Sequence, residues 1–207
     1  MLIGYRLADG FIQQTVHDPV DMTYVERMQN VGLGVVRVPD DFVPEVDLFS
    51  RYVDLASLPQ HLAEATALEA NSLPVPEPYT IVREDGSQDV VIPPMPEGFR
   101  VTRLVGSTEV MISDQQYADH LESVATVVRQ REAIEFELSS TAVIADGEST
   151  ISITGLPAPC TVFVDDTSYD VEDGHFDFAA EDPGEYLITV RAWPFLDTSF
   201  SITARAS

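Results

Sequence analysis

The segment Asp182-Pro183-Gly184-Glu185-Tyr186-Leu187-Ile188-Thr189-Val190-Arg191-Ala192-Trp193 decides the fold of the C-terminal third of the chain. From residue 185 to 192 the side chains alternate in character, and successive side chains of a strand point to opposite faces of a sheet. One face carries Tyr186, Ile188, Val190 and Ala192. The Asp-Pro-Gly triplet before them is a turn signal. The segment therefore predicts a strand with one face in a hydrophobic core.

Short segments of the same kind surround this strand. They are spaced regularly and are separated by Gly, Asp and Pro, as in Asp146-Gly147 and Asp173-Gly174. The predicted strands cover residues 136–138, 142–145, 150–154, 161–165, 168–171, 175–179, 185–192 and 199–203. This spacing is typical of a small β-sandwich, which we place at residues 134–207. Tyr169, Phe176, Phe178 and Tyr186 alternate as core residues do.

Residues 1–133 mix strands with helices. Strands at 2–7 and 11–16 flank an Asp9-Gly10 turn, and a short helix is expected after Asp18-Pro19. A second helix is predicted over 58–71, and hairpins over 79–92 and 99–112. The alternating prolines of 74–78 favour an extended spacer, so we divide this half into an α+β segment, 1–73, and a segment of hairpins plus helix, 74–133. The predicted fold class is mainly β with a few helices.

The clearest helical pattern begins at Ser113, where Gln116 completes a capping box, and is predicted to run to about residue 133. Its apolar stripe packs on the neighbouring hairpins or forms a subunit interface, for instance around a threefold axis. The apolar segment Trp193–Leu196, called here the Trp193–Leu196 corner, joins the last two predicted strands. It likewise either covers one end of the sandwich core or forms a docking surface for a partner subunit. The candidate partner-interface residues are Tyr117, Leu121, Val124, Val128, Trp193 and Phe195.

The charge excludes several classes of partner. The 207 residues include 35 Asp and Glu against 11 Arg and no Lys, a net charge of −24. Such a surface repels phosphate and anionic lipid, so we expect no nucleic-acid binding. No apolar run approaches the length of a membrane span, and no signal-peptide pattern is present, so we expect synthesis in a cytoplasm without membrane insertion. The acidity is denser on residues 134–207, which suits a solvated outer module.

Catalytic motifs are missing from the sequence. The four histidines lie in four different predicted elements, and the single cysteine, Cys160, is interpreted as a small apolar residue. We therefore expect no enzymatic activity and no cofactor. The densest carboxylates are interpreted as solvated surface, with a Ca²⁺ site as the alternative. They are Asp165, Asp166, Asp170, Glu172 and Asp173.

Two stretches carry a resemblance. The start Ala145-Asp146-Gly147-Glu148-Ser149-Thr150 of segment 145–157 resembles the second strand of bacterial Ig-like domains found in adhesins and tailed-phage virion proteins. Segment 182–197 is similar to the ending of small proteins encoded among phage and prophage tail genes. The resemblance implies an Ig-like sandwich at 134–207 in a virion protein of the tail region.

The expected function follows from that resemblance. It implies a structural subunit of the tail tip, baseplate or tail fibre, located in the virion and assembled with other phage tail proteins. A homo-oligomer, such as a trimer, or many copies in one particle are expected. Two alternatives stay open: a carbohydrate-binding module that contacts the host surface, and a capsid decoration protein. An exposed aromatic platform on the sandwich would distinguish the carbohydrate-binding alternative.

Overall fold

A computed structural model describes residues 1–17, 22–39, 42, 48–106 and 108–206. Strands hold 43% of the chain and helices 20%, which confirms the mainly β prediction. The helices are α1 Met22–Asn30, α2 Leu58–Ala70 and α3 Asp114–Val127, with a short 3₁₀ turn at Leu48–Ser50. The predicted cap at Asp18-Pro19 lies outside the described residues.

Eighteen strands are present in the described part of the chain. Those before residue 131 are β1 Leu2–Arg6, β2 Ile12–Val16, β3 Leu33–Arg37, β4 Arg51–Val53, β5 Leu73–Pro74, β6 Tyr79–Val82, β7 Gln88–Val91, β8 Phe99–Thr102, β9 Val110–Ser113 and β10 Val128–Gln130. Those after it are β11 Glu137–Leu138, β12 Ala142–Ile144, β13 Thr150–Thr154, β14 Cys160–Val164, β15 Thr167–Val171, β16 His175–Ala179, β17 Gly184–Arg191 and β18 Thr198–Arg205.

The chain divides into two compact units, Met1–Gln130 and Arg131–Ser207. The predicted boundary between residues 133 and 134 lies three residues further along. The predicted division at residue 74 falls inside the first unit. There, α2 and α3 share one core, in which Leu58 packs with Val124.

The N-terminal unit begins with the predicted hairpin. Strands β1 and β2 pair antiparallel, and β3 adds to the other edge of β1. The turn is held by Arg6, whose Nε donates to Asp9 Oδ1 at 3.0 Å. Ile3, Ile12 and Val36 are buried and place this sheet against the core of the unit.

Helix α3 starts as predicted but ends earlier. Ser113 Oγ accepts from the Gln116 backbone N–H at 3.2 Å and the Gln116 side chain accepts from the Ser113 N–H at 2.9 Å, so the capping box is confirmed. The helix stops at Val127 instead of residue 133 because Val128–Gln130 turns into strand β10 and pairs with β4. Consecutive β-branched valines favour this extended form, and Val128 is buried there.

The two hairpins of the middle region are also confirmed. Strands β8 and β9 pair, with β5 on the other edge of β9, and they share a core with α2 and α3. Pro74 thus lies in a short edge strand, a position that tolerates proline in a sheet. Strands β6 and β7 form a separate two-stranded sheet.

The C-terminal unit is a two-layer sandwich. One sheet has the order β11-β13-β16, and the other has the order β12-β18-β17-β14-β15. All pairs are antiparallel except β12 with β18. Ile151 and Ile153 of the first sheet pack with Ile188 and Ile202 of the second in a single core. Short antiparallel strands in two facing sheets, with this order, form an Ig-like sandwich.

Candidate functional site

The predicted interface stripe of α3 lies inside the N-terminal unit. Tyr117, Val124 and Val128 are buried, and Leu121 is partly buried against Leu104 and its neighbours. The stripe therefore fills the cores beside α2 and the hairpins. This burial, which is only partial for Leu121, fits the alternative in which the stripe packs on the neighbouring hairpins, and a partner interface at these side chains stays a prediction.

The Trp193–Leu196 corner is tied to the first residues of the C-terminal unit. Arg131 Nε donates to the Pro194 carbonyl at 2.9 Å, and its guanidinium carbon lies 5.0 Å from the centre of the Trp193 ring. Phe195 packs against the sandwich core, whereas Trp193 stays partly exposed. Trp193 is the most exposed of the six candidate interface residues, with 37% of its surface accessible.

A groove of about 580 Å³ runs along one side of the sandwich. It is bordered by β15 and β16, the edge strands of the two sheets. Tyr169 is 44% exposed, and its ring centre lies 5.3 Å from that of Phe176. Of the four aromatics with a core-like alternation, Phe178 is buried. The prediction that Tyr169 belongs to the core is wrong, because β15 is an edge strand and no other strand of the described ranges pairs with its outer side.

Carboxylates line the same groove. Asp165, Asp166, Asp177 and Glu181 all border it. Asp177 Oδ1 accepts from Ser152 Oγ at 2.7 Å and from His175 Nε2 at 3.1 Å, and the Ser152 bond, followed by the His175 bond, lowers the pKa of Asp177. The groove thus combines an aromatic surface with carboxylate oxygens that can accept hydrogen bonds.

Asp165 has a structural role at the rim of this groove. It adopts a positive φ of 50° at the turn between β14 and β15. Its backbone N–H donates to the Leu187 carbonyl at 2.9 Å, and its Oδ1 accepts from the Leu187 N–H at 3.0 Å. These two bonds anchor the turn to the adjacent strand β17.

The predicted Ca²⁺ alternative finds no support in the geometry. Within the described ranges, no three His, Cys, Asp or Glu side chains converge as metal ligands would. Asp170 Oδ1 instead accepts from Thr161 Oγ1 at 3.3 Å, and Asp173 Oδ1 accepts from the His175 N–H at 3.1 Å.

Two histidines from different helices meet in the N-terminal unit. His61 of α2 and His120 of α3 are both buried, and their rings stack with centres 5.5 Å apart. His61 Nδ1 lies 2.9 Å from Ser123 Oγ, whose hydroxyl donates to Glu64 Oε2 at 3.0 Å. Because Ser123 donates its hydroxyl proton to Glu64, Ser123 Oγ can only accept from His61, so the ring proton of His61 lies on Nδ1. The sequence separates this pair by 59 positions and contains no local motif that reveals it.

Burial keeps these two imidazoles neutral. Desolvation, with a smaller effect from His61, lowers the pKa of His120 from 6.5 to about 4. Desolvation also lowers the pKa of His61, partly opposed by the negative charge of Glu64. At pH 7 both rings are uncharged, and each can offer one acceptor nitrogen.

No protein-family model matches the chain, and no curated protein matches it. No helix in the described ranges is long and apolar enough to cross a bilayer.

Proposed function

We propose that this chain is a structural subunit of a bacteriophage virion at the tail tip, baseplate or tail fibre, working by assembly and attachment and without catalysis. The resemblance of segments 145–157 and 182–197 to tail-region proteins motivates the proposal. The observation that carries the assembly part is an uncovered apolar hairpin in the N-terminal unit.

That hairpin consists of β6 and β7. Thr80 pairs with Val90 across the two strands, so their side chains lie on the same face of the hairpin. Because side chains alternate along a strand, Val82 and Ile92 lie on that face as well. The side chains of Val82, Val90 and Ile92 are 63%, 69% and 75% exposed. A two-stranded hairpin is only marginally stable alone, and uncovered apolar patches mark interaction sites. Coverage by another tail subunit would bury this face.

Sedimentation of the full chain, alone and with purified tail proteins, tests assembly. We expect the natural chain to sediment as an oligomer or as a complex with a tail protein. The variant V82S/V90S/I92S should not form this oligomer or complex. The variant I144S, which changes an exposed apolar residue of the sandwich, is the matched control and should assemble normally. Negative-stain images of particles labelled at the C-terminus should place the label on the tail.

The proposal would be refuted if the chain is strictly monomeric, does not bind the tail proteins and binds lipopolysaccharide. This result would favour the second candidate, a host-surface carbohydrate-binding module. The groove of the sandwich supports that candidate, because the partly exposed ring of Tyr169 can stack on a sugar while Asp166 and Glu181 accept from hydroxyl groups. If the negative-stain images place the C-terminal label on the phage head, they would instead favour a capsid decoration protein.

Binding of the full chain to host lipopolysaccharide tests the second candidate. Tyr169→Ala removes the stacking surface and should abolish saccharide binding. Leu187→Ala is the matched control, since Leu187 is similarly exposed in the same unit and does not line the groove. Equal binding by both variants would contradict a site in the groove.

A further inference from the structure

A small cavity of about 140 Å³ lies between α2 and α3. Helix α2 contributes Glu64, Ala65 and Leu68 to its lining, and α3 contributes Asp119 and His120. Both helices belong to the N-terminal unit, whose core fixes their spacing. The cavity is therefore a formed feature of the fold with the size of one side chain.

The cavity has an apolar floor and an acidic rim. Ala65 is buried and Leu68 is partly buried, whereas Glu64 and Asp119 are exposed. Hydrogen bonds from Gln60 and Ser123 lower the pKa of Glu64, so its carboxylate is ionised at neutral pH. None of the described residues that line the cavity is Arg, so this negative charge has no basic neighbour in the lining.

His120, one of the residues that line the cavity, carries a buried polar ring atom. The residue is 4% exposed, and its Nε2 is buried with no hydrogen-bond partner among the described residues. Buried polar atoms are almost always satisfied, and an exception points to a missing ligand or water. With the ring proton on Nδ1, a neutral His120 presents Nε2 as an acceptor.

We propose that this cavity binds one basic side chain, Lys or Arg, presented by a different protein of the same assembly. A basic side chain combines an apolar methylene stem with a cationic donor head, which matches the apolar floor, the acidic rim and the acceptor nitrogen. The chain itself has 35 acidic residues against 11 Arg, so a basic partner is the complementary one. This inference rests on the proposed assembly function.

The test uses n-butylammonium chloride as a probe of the ¹⁵N-labelled full chain. Long-range ¹H–¹⁵N spectra of the histidine rings should show a saturable shift of the His120 nitrogens in 150 mM NaCl. Tetramethylammonium chloride supplies the same charge without a donor or a stem, and 1-butanol supplies the stem without the charge. Neither should give a saturable shift.

Variants locate the binding. Glu64→Gln and Asp119→Asn should each weaken n-butylammonium binding about two- to fivefold, the range for an exposed ion pair. Glu122→Gln is the matched control, because Glu122 is an exposed carboxylate of α3 outside the cavity lining, and it should bind as the natural chain does. His120→Leu should reduce binding further by removing the acceptor. Circular dichroism checks that each variant folds.

The proposal is overturned if n-butylammonium gives no saturable shift, or if tetramethylammonium gives the same one. It is also overturned if E64Q and D119N bind as tightly as E122Q. Because the probe contains no phage component, such a failure leaves the assembly proposal standing. Failure of assembly would be read from sedimentation with tail proteins instead.

Discussion

Acidification from pH 7 to pH 5 should destabilise the N-terminal unit through the buried His61–His120 pair. The pKa of His120 is about 4 in the folded chain, against an ordinary 6.5. Between these values the unfolded chain takes up a proton that the folded chain excludes. Stability is therefore complete above pH 6.5 and falls as the pH drops toward 4.

The size of the effect follows from the two pKa values. Each pKa unit corresponds to about 1.4 kcal/mol, and pH 5 lies about 1.5 units below the ordinary pKa while remaining above the folded one. His120 alone then contributes a loss of about 2 kcal/mol in the free energy of unfolding between pH 7 and pH 5. His61 adds in the same direction, because its pKa is also lowered.

Urea unfolding of the full chain measures this loss. Circular dichroism at 222 nm follows the N-terminal unit, since α1, α2 and α3 all lie within it. Fluorescence of Trp193, the single tryptophan, follows the sandwich in the same samples. We expect the dichroism transition to move to lower urea at pH 5.

His120→Leu isolates the histidine from the titration of the carboxylates. The variant should lose about 2 kcal/mol less than the natural chain between pH 7 and pH 5. His175→Leu, which keeps both buried imidazoles, is the matched control and should retain the full loss. The reasoning is refuted if H120L and the natural chain lose the same stability over this range.

Three further substitutions test the packing. Gly34→Ala should destabilise the N-terminal unit by about 1–3 kcal/mol, since the new Cβ would lie 2.3 Å from the Tyr5 ring; an unchanged dichroism midpoint in urea would contradict that contact. Ile188→Ala should lower the free energy of unfolding of the sandwich by about 2–5 kcal/mol, because it leaves a cavity in the core. An unchanged urea midpoint in Trp193 fluorescence would contradict this prediction. Ser113→Ala should cost about 1 kcal/mol by removing the cap of α3, seen as a lower dichroism midpoint.

The local elements could be predicted because their causes lie within a few residues. The Asp9-Gly10 turn, the Ser113–Gln116 capping box and the alternation of 185–192 each place the interacting groups next to one another in the chain. The prediction failed at the end of α3. There the pairing of Val128 with Val53, 75 positions away, replaced the last helical turns with a strand.

The sites show the same division. The apolar stripe of α3 was visible in the sequence, but whether it faced a partner or the core depended on where α2 and the hairpins packed. Tyr169 alternates like a core residue, and its exposure follows from the edge position of β15 in the sheet.

The sequence by itself determined the mainly β class, the strands of the sandwich and the strongly acidic surface, because these depend on side-chain period, turn residues and composition. The tertiary structure alone decided the meeting of His61 with His120, the cavity beside them and the groove between β15 and β16. Each of these joins groups from separate elements, and the packing of those elements is set by the whole core and not by any local pattern.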